Sequence, residues 1–290
     1  MMSKIQNWTF SKLNTDVCLL NINLKREGDE QYILLTSDVH WDNPKCDLSL
    51  YKKHLDLAKQ RNAPVFSAGD FFCAMQGKWD KRASKSDIRP EHANGNYLDS
   101  LVETAAKYLT PYKDILTLQA NGNHETAITK RHETNLTERF VERMKVAGSK
   151  NIQACGYGGF VRIQVNTGNN YRHGSILYHY YHGSGGGGPV TRGVIQTNRM
   201  AVYLADADIV HTGHTHDSWQ VPIARVRVNG RDVVERTRQT HVRTAGHKQD
   251  FHLAGGWHVE TGKPPKILGG AWLRIFLTNK AADYEIIEAK

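Results

Sequence analysis

The sequence predicts a single α/β domain in which the loops after successive strands gather one set of side chains. Three observations predict it. Short apolar runs alternate with amphipathic helical stretches, a cluster of Asp, Asn or His residues follows each of five such runs, and no repeat or low-complexity linker divides the 290 residues. In open α/β sheets the loops at the carboxyl ends of strands are where ligands bind.

The chain opens with an alternating stretch around Val17 to Leu24 and a turn at Arg26 to Asp29, which reads as a strand pair. Tyr32 to Ser37 is the first core strand and delivers Asp38 and His40. Asp47 is placed to cap a helix from Leu48 to Arg61, with Leu50, Tyr51, His54, Leu55 and Ala58 on its inner face and His54 structural. The second core strand, Pro64 to Ser67, ends in Gly69-Asp70. A strand, helix and strand at this spacing form a βαβ unit, so the two strands should be parallel.

From Cys73 to Asn96 the periodic signals stop. Lys78, Trp79, Lys81, Arg82, Lys85 and Arg89 make this a basic insertion beginning beside Asp70, read as a substrate-binding flap or a solvated loop. Leu98 to Leu109 is the next helix, stopped by Pro111. Ile115 to Leu118 is the third strand and runs into Asn121-Gly122-Asn123-His124-Glu125. Gly122 is expected to take backbone angles closed to other residues, turning Asn123 and His124 into one concavity. Lys130 and Arg131 follow closely and are candidate phosphate contacts. Leu136 to Met144 is another amphipathic helix, terminated at Gly148.

Phe160 to Val165 and Ser175 to Tyr181 form a hairpin that ends at His182-Gly183, with His179 as the rival ligand. Gly185 to Gly188 lacks the Lys-Ser/Thr of a nucleotide-binding loop and suits a lid or tight turn, with Arg192 near enough to touch substrate. A helix over Gln196 to Leu204 leads to Ile209 and Val210, then to Gly213-His214-Thr215-His216, with His211 read as structural. Asn229-Gly230 joins two further strands, Ile223 to Val228 and Val233-Val234. Trp272 to Leu277 and Tyr284 to Ile287 close the sheet. His241, His247, His252 and His258 lack the spacing of a second site and are read as incidental.

Composition narrows the chemistry. The chain is 39% hydrophobic and 23% charged, and no apolar stretch approaches a membrane span. No secretory signal is evident at the start, and four scattered cysteines without a Cys-x-x-Cys pair argue against a zinc ribbon or a disulfide scaffold, so a reducing cytoplasm is expected. The net charge of +9 suits a polyanionic substrate such as DNA or a nucleotide. Carboxylate, carboxamide and imidazole are the donors divalent metals accept, and a single Asp70 carboxylate has two oxygens with which to bridge a pair of ions. A serine or cysteine hydrolase finds no Gly-x-Ser-x-Gly, and no His-Glu-x-x-His is present.

Taken in order, Asp38-Val39-His40, Gly69-Asp70, Gly122-Asn123-His124-Glu125, His182-Gly183 and Gly213-His214-Thr215-His216 resemble the calcineurin-like metallophosphoesterase superfamily. The glycine-rich segment and compact length look similar to phage or prophage members, for which the compartment would be the host cytoplasm. The resemblance implies a sandwich of two mixed β-sheets flanked by helices, one domain over residues 1–290 with a core about 30–280 and the insertion about 73–96. It implies that Asp38, His40 and His216 hold one metal, that Asn123, His182 and His214 hold the other, and that Asp70 bridges them. His124 becomes the general acid or oxyanion stabiliser, oriented by Glu125. Manganese leads among the ions, with iron, zinc, nickel or magnesium also accommodated.

The implied activity is phosphodiester hydrolysis on nucleic acid or nucleotides by a metal-activated hydroxide. The alternatives are a phosphomonoesterase or pyrophosphate hydrolase, and an inactive metal-bound scaffold. The chain departs from many relatives at Phe71-Phe72-Cys73-Ala74, where they carry a further acid or Asn, and it lacks the Asp-Arg-Gly of the protein phosphatase branch.

Overall fold

The structure, a computed structural model, describes residues 6–75, 87–167, 172–186, 191, 193–254, 257–279 and 281–289. Two mixed sheets face each other. The six-stranded sheet is built on β3 (Glu30–Thr36), β4 (Val65–Ser67), β5 (Leu116–Ala120) and β6 (Gln153–Cys155), which run parallel. Two antiparallel strands, β12 (Ala271–Thr278) and β13 (Ala281–Glu288), extend it beyond β3. The seven-stranded sheet has the order β1 (Trp8–Lys12), β2 (Val17–Asn23), β7 (Gly158–Asn166), β8 (Arg172–Tyr181), β9 (Ile209–Thr212), β11 (Val234–Arg243), β10 (Trp219–Val228).

The central strands explain themselves. All residues of β4 and β5 are buried, as expected of parallel strands covered on both faces. Each fully buried large aliphatic side chain, such as Leu118, contributes about 1.5–3 kcal/mol. Helix α1 (Leu48–Arg61) starts where the Asp47 carboxylate accepts from the Leu50 N–H at 2.9 Å, and ends at Asn62 in the left-handed conformation. It buries Tyr51, His54, Leu55 and Ala58; Leu50 is only half-buried. Helix α2 (Tyr97–Leu109) and helix α4 (Leu136–Val146) pack against each other.

The expected two-sheet sandwich is therefore the observed fold. The core begins earlier than residue 30, because Trp8, Phe10, Leu20 and Ile22 are buried in the same cluster as the central strands. Three elements carried too little periodicity to be foreseen: β6, with three residues, α6 (Trp257–Glu260), with four, and α3 (Asn123–His132), which starts directly on the motif. Residues 76–86 of the basic insertion, including Lys78, Trp79, Lys81, Arg82 and Lys85, lie outside the described residues, as do Gly187 and Gly188 and the tip of the β7–β8 hairpin. Arg89 is described and does not face solvent; its guanidinium donates twice to the Asn43 carbonyl, at 3.2 Å.

Candidate metal centre

Five strand ends meet where the two sheets face each other. β3 delivers Asp38 and His40, β4 delivers Asp70, and β5 runs through Asn121-Gly122 into α3, whose first two residues are Asn123 and His124. From the other sheet β8 delivers His182 and β9 delivers His214 and His216. Backbone hydrogen bonds tie the ends together: Asp38 N–H to the Gly69 carbonyl at 2.9 Å, His40 N–H to Asp70 at 3.1 Å, and Gly213 N–H to His182 at 2.9 Å.

Two groups of donors result. In the first, His40 Nε2 and His216 Nε2 are 3.2 Å apart, and His216 Nε2 is 3.4 Å from Asp38 Oδ1. In the second, His182 Nε2 is 3.1 Å from both Asp70 Oδ2 and Asn123 Oδ1, and His214 Nδ1 is 2.7 Å from Asn123 Oδ1. Donors ~2.1 Å from one ion, at angles between square and tetrahedral, lie ~3.0–3.4 Å from each other. All seven expected ligands fall in these two groups; four of the five separations lie in that range, and His214 Nδ1 to Asn123 Oδ1, at 2.7 Å, is a hydrogen-bond distance.

The burial of these groups fits a cation. Asp38 Oδ1 is buried with no hydrogen-bond partner, a costly state for a polar atom unless something else satisfies the site. Burial, with the neighbouring His124 and His216, holds His40 well below the usual imidazole range, and burial lowers His214 too. Neutral rings are the ligating form. His182 is fixed by its other nitrogen, Nδ1, 2.9 Å from the Ala68 carbonyl, which leaves Nε2 for the centre.

The backbone is strained here. Asp38, His40, Asp70, His214 and His216 all have φ between 50° and 73°, the left-handed region. For residues other than glycine this costs of order ~1–3 kcal/mol each, and such strain collects at functional sites. Gly69 stands at φ 99°, and a Cβ there would lie 2.7 Å from the Asn121 carbonyl. Gly122 works differently from the sequence expectation. Its φ of −107° is open to any residue, and glycine is needed because a Cβ would strike the Asp70 carboxylate.

Glu125 also departs from its expected role. Its carboxylate accepts from the backbone N–H groups of Gly122 (2.7 Å), Asp70 (3.1 Å) and Phe72 (2.9 Å), and so clamps the Asp70 loop to the start of α3. Burial and the Asp70 charge push Glu125 up to about 8 against the pull of the backbone bonds. The His124 ring is held instead by a short contact from Nδ1 to the Cys73 carbonyl. Its Nε2 is 3.7 Å from Asp70 Oδ2, and its backbone N–H donates to Asp70 Oδ1 at 2.9 Å.

Two of the expected substrate contacts, Lys130 and Arg131, stand apart from the donor groups. Lys130 and Arg131 are exposed in the last turn of α3, ~10 Å along the helix from Asn123, where positive charge suits the helix dipole. Arg192 lies outside the described residues. His179, the rival ligand, joins neither donor group; its ring packs on Phe160, with centroids 4.6 Å apart. His211 is structural as expected, bonded to Tyr178 Oη and Thr244 Oγ1.

Sequence reading missed three supports. Asp42 is buried and accepts from the N–H groups of Cys73 (2.6 Å) and Ala74 (2.9 Å), fixing the loop that carries the carbonyl under His124. His247, read as incidental, donates its backbone N–H to the Asp38 carbonyl at 3.0 Å. Arg243, 2% exposed, bonds Thr212, Thr215 and Gln196, and Gln196 in turn bonds the Ser184 carbonyl, so one guanidinium links the loops of His182, His214 and His216. Only the short Asp42 spacing from His40 carried any signal of this in the sequence.

Without metal, His182 takes the place of a cation. Burial disfavours its charged ring, yet the Asp70 and Asp38 carboxylates outweigh this and raise it to about 10. The contribution to the metal-free fold is full below the ordinary value of 6.5 and is lost as pH rises through about 10. Loading an ion at Nε2 must expel that proton. Calorimetry in buffers of different ionisation enthalpy should therefore detect proton release on metal binding, with affinity falling as pH falls from 10 toward 6.5; affinity flat across that window would mean a ring already neutral.

No family model matches the chain and no curated protein matches it. Solved structures do. Vacuolar protein sorting 29 from Cryptosporidium parvum is 14% identical, with a TM-score of 0.34 over 89% of this chain and 97% of that one. The same protein from Entamoeba histolytica, in its zinc complex, is 10% identical, with a TM-score of 0.34 over 90% of this chain and 100% of that one. A metallophosphoesterase from Sphaerobacter thermophilus is 14% identical, with a TM-score of 0.37 over 90% and 89%. In this chain the five clusters converge between two mixed sheets. No helix among the described residues is long and apolar enough to cross a membrane.

Proposed function

We propose that the chain is a two-metal phosphoesterase that hydrolyses phosphodiesters, with nucleic acid or a nucleotide as substrate and manganese as the working ion. The observation that carries this reading is the pair of donor groups with His124 beside them. Asp38, His40 and His216 would hold one ion, Asn123, His182 and His214 the other, and Asp70 would serve both. Two divalent ions at such a site supply a water-derived nucleophile and offset charge on the phosphoryl oxygens. His124, with Nδ1 fixed on the Cys73 carbonyl, presents Nε2 to the leaving-group oxygen and gives it a proton. Glu125, Asp42 and Arg243 act at one remove by holding the ligand loops in place. The excess positive charge favours a polyanion over a small neutral ester.

The test compares a bis-aryl with a mono-aryl phosphate, then single- and double-stranded DNA, in manganese with and without chelator. Diester and DNA cleavage that the chelator abolishes is expected. Turnover of the monoester alone would assign a phosphomonoesterase instead, since the same ligands serve both.

A further inference from the structure

A third group of donors lies against the centre. His40, Cys73 and His124 bring one ligand atom each to within 4.8 Å of one another, and all three residues are buried. We propose that they form a separate cation position, selective for a thiophilic divalent ion, whose occupation shuts the centre down.

Cys73 and His124 stand outside the two groups assigned above, and His40 is shared with the first of them. The His124 Nδ1 contact to the Cys73 carbonyl commits that nitrogen and leaves Nε2 to coordinate. The His40 and His124 rings meet edge-on with centroids 4.9 Å apart, and His40 Nδ1 is buried without a partner while its Nε2 faces His216. Cys73 Sγ accepts a hydrogen bond from Asn43 Nδ2 at 3.4 Å, which fixes the sulfur and leaves the thiolate two further lone pairs for a metal. One sulfur with two imidazoles favours zinc or cadmium over manganese or magnesium, whereas the main centre also offers Asp and Asn oxygens. On binding, the Cys73 S–H bond and the His40 Nδ1–H bond break, a sulfur–metal and a nitrogen–metal bond form, and both protons pass to buffer, with no change of oxidation state, so that the His40 ring bridges this ion and the first one. The Nε2 lone pair of His124 is then committed, so the ring can no longer carry a proton to a leaving group.

The loss of activity rests on the proposed function; the binding does not. The metal-free protein is dialysed against cadmium and bound metal is counted, while sulfur-to-cadmium charge-transfer absorption is recorded. Three cadmium ions per chain with that absorption are expected for the wild type, and two without it for Cys73→Ser. Two ions in the wild type, a count that needs no folded variant, or absorption persisting in Cys73→Ser, would overturn the site. With the manganese-loaded protein, cadmium should inhibit diester turnover, and Cys73→Ser should require at least ~10-fold more of it. Equal sensitivity in a variant that has lost the third ion would overturn the regulatory role. A wild type that turns over no phosphate ester yet binds three ions defeats the proposed function and leaves the site standing.

Discussion

Asp70→Asn is expected to lose the second divalent ion and nearly all diesterase activity while remaining folded. Asp70 is 2% exposed, and one of its oxygens faces His182 Nε2 at 3.1 Å while the other accepts the His124 N–H. Asn keeps the shape and one acceptor, so the His124 bond survives. It removes the charge that balances two cations and holds His182 protonated in the metal-free state. Removing a group one step behind a metal ligand costs ~10–100-fold, so losing a shared ligand should cost more than that in both metal affinity and kcat/KM. Metal analysis with steady-state kinetics checks this; a variant that keeps two ions and wild-type turnover would remove Asp70 from the centre.

His124→Ala should separate metal binding from catalysis. His124 belongs to neither group assigned to the two working ions, and its ring is anchored by a carbonyl rather than by a ligand. Deleting it should lower kcat by ~10²–10⁴-fold, the range for a positioned acid, with metal content unchanged. The deficit should shrink for esters with good leaving groups, which need no proton. A deficit equal for good and poor leaving groups would instead assign the ring to charge stabilisation at the phosphoryl oxygens.

The placement of the candidate ligands is legible because each follows an apolar run that reads as a strand, and the strand end fixes its place. Asp38, Asp70, His182 and His214 sit where that logic puts them. The preference for His182 over His179 rests on Gly183, whose φ of 115° lets the chain turn out of β8 there, and His182 stands in a donor group while His179 does not. What could not be read was support between distant segments. The backbone bonds that occupy Glu125 come from residues 70, 72 and 122, and nothing in its own neighbourhood shows that the Asp70 loop folds onto it. Arg243 is 27 residues beyond His216 in number, across a long hairpin, and becomes relevant only because β11 pairs beside β9. Gly122 was singled out for conformational freedom, but packing against Asp70 is what demands it, and packing is invisible before the fold is known.

Anomalous diffraction from crystals grown with manganese tests the central claim most directly. The account predicts two peaks, one among Asp38, His40 and His216 and one among Asn123, His182 and His214, with Asp70 touching both. A single peak, peaks elsewhere, or Asp70 bound to neither ion would contradict it.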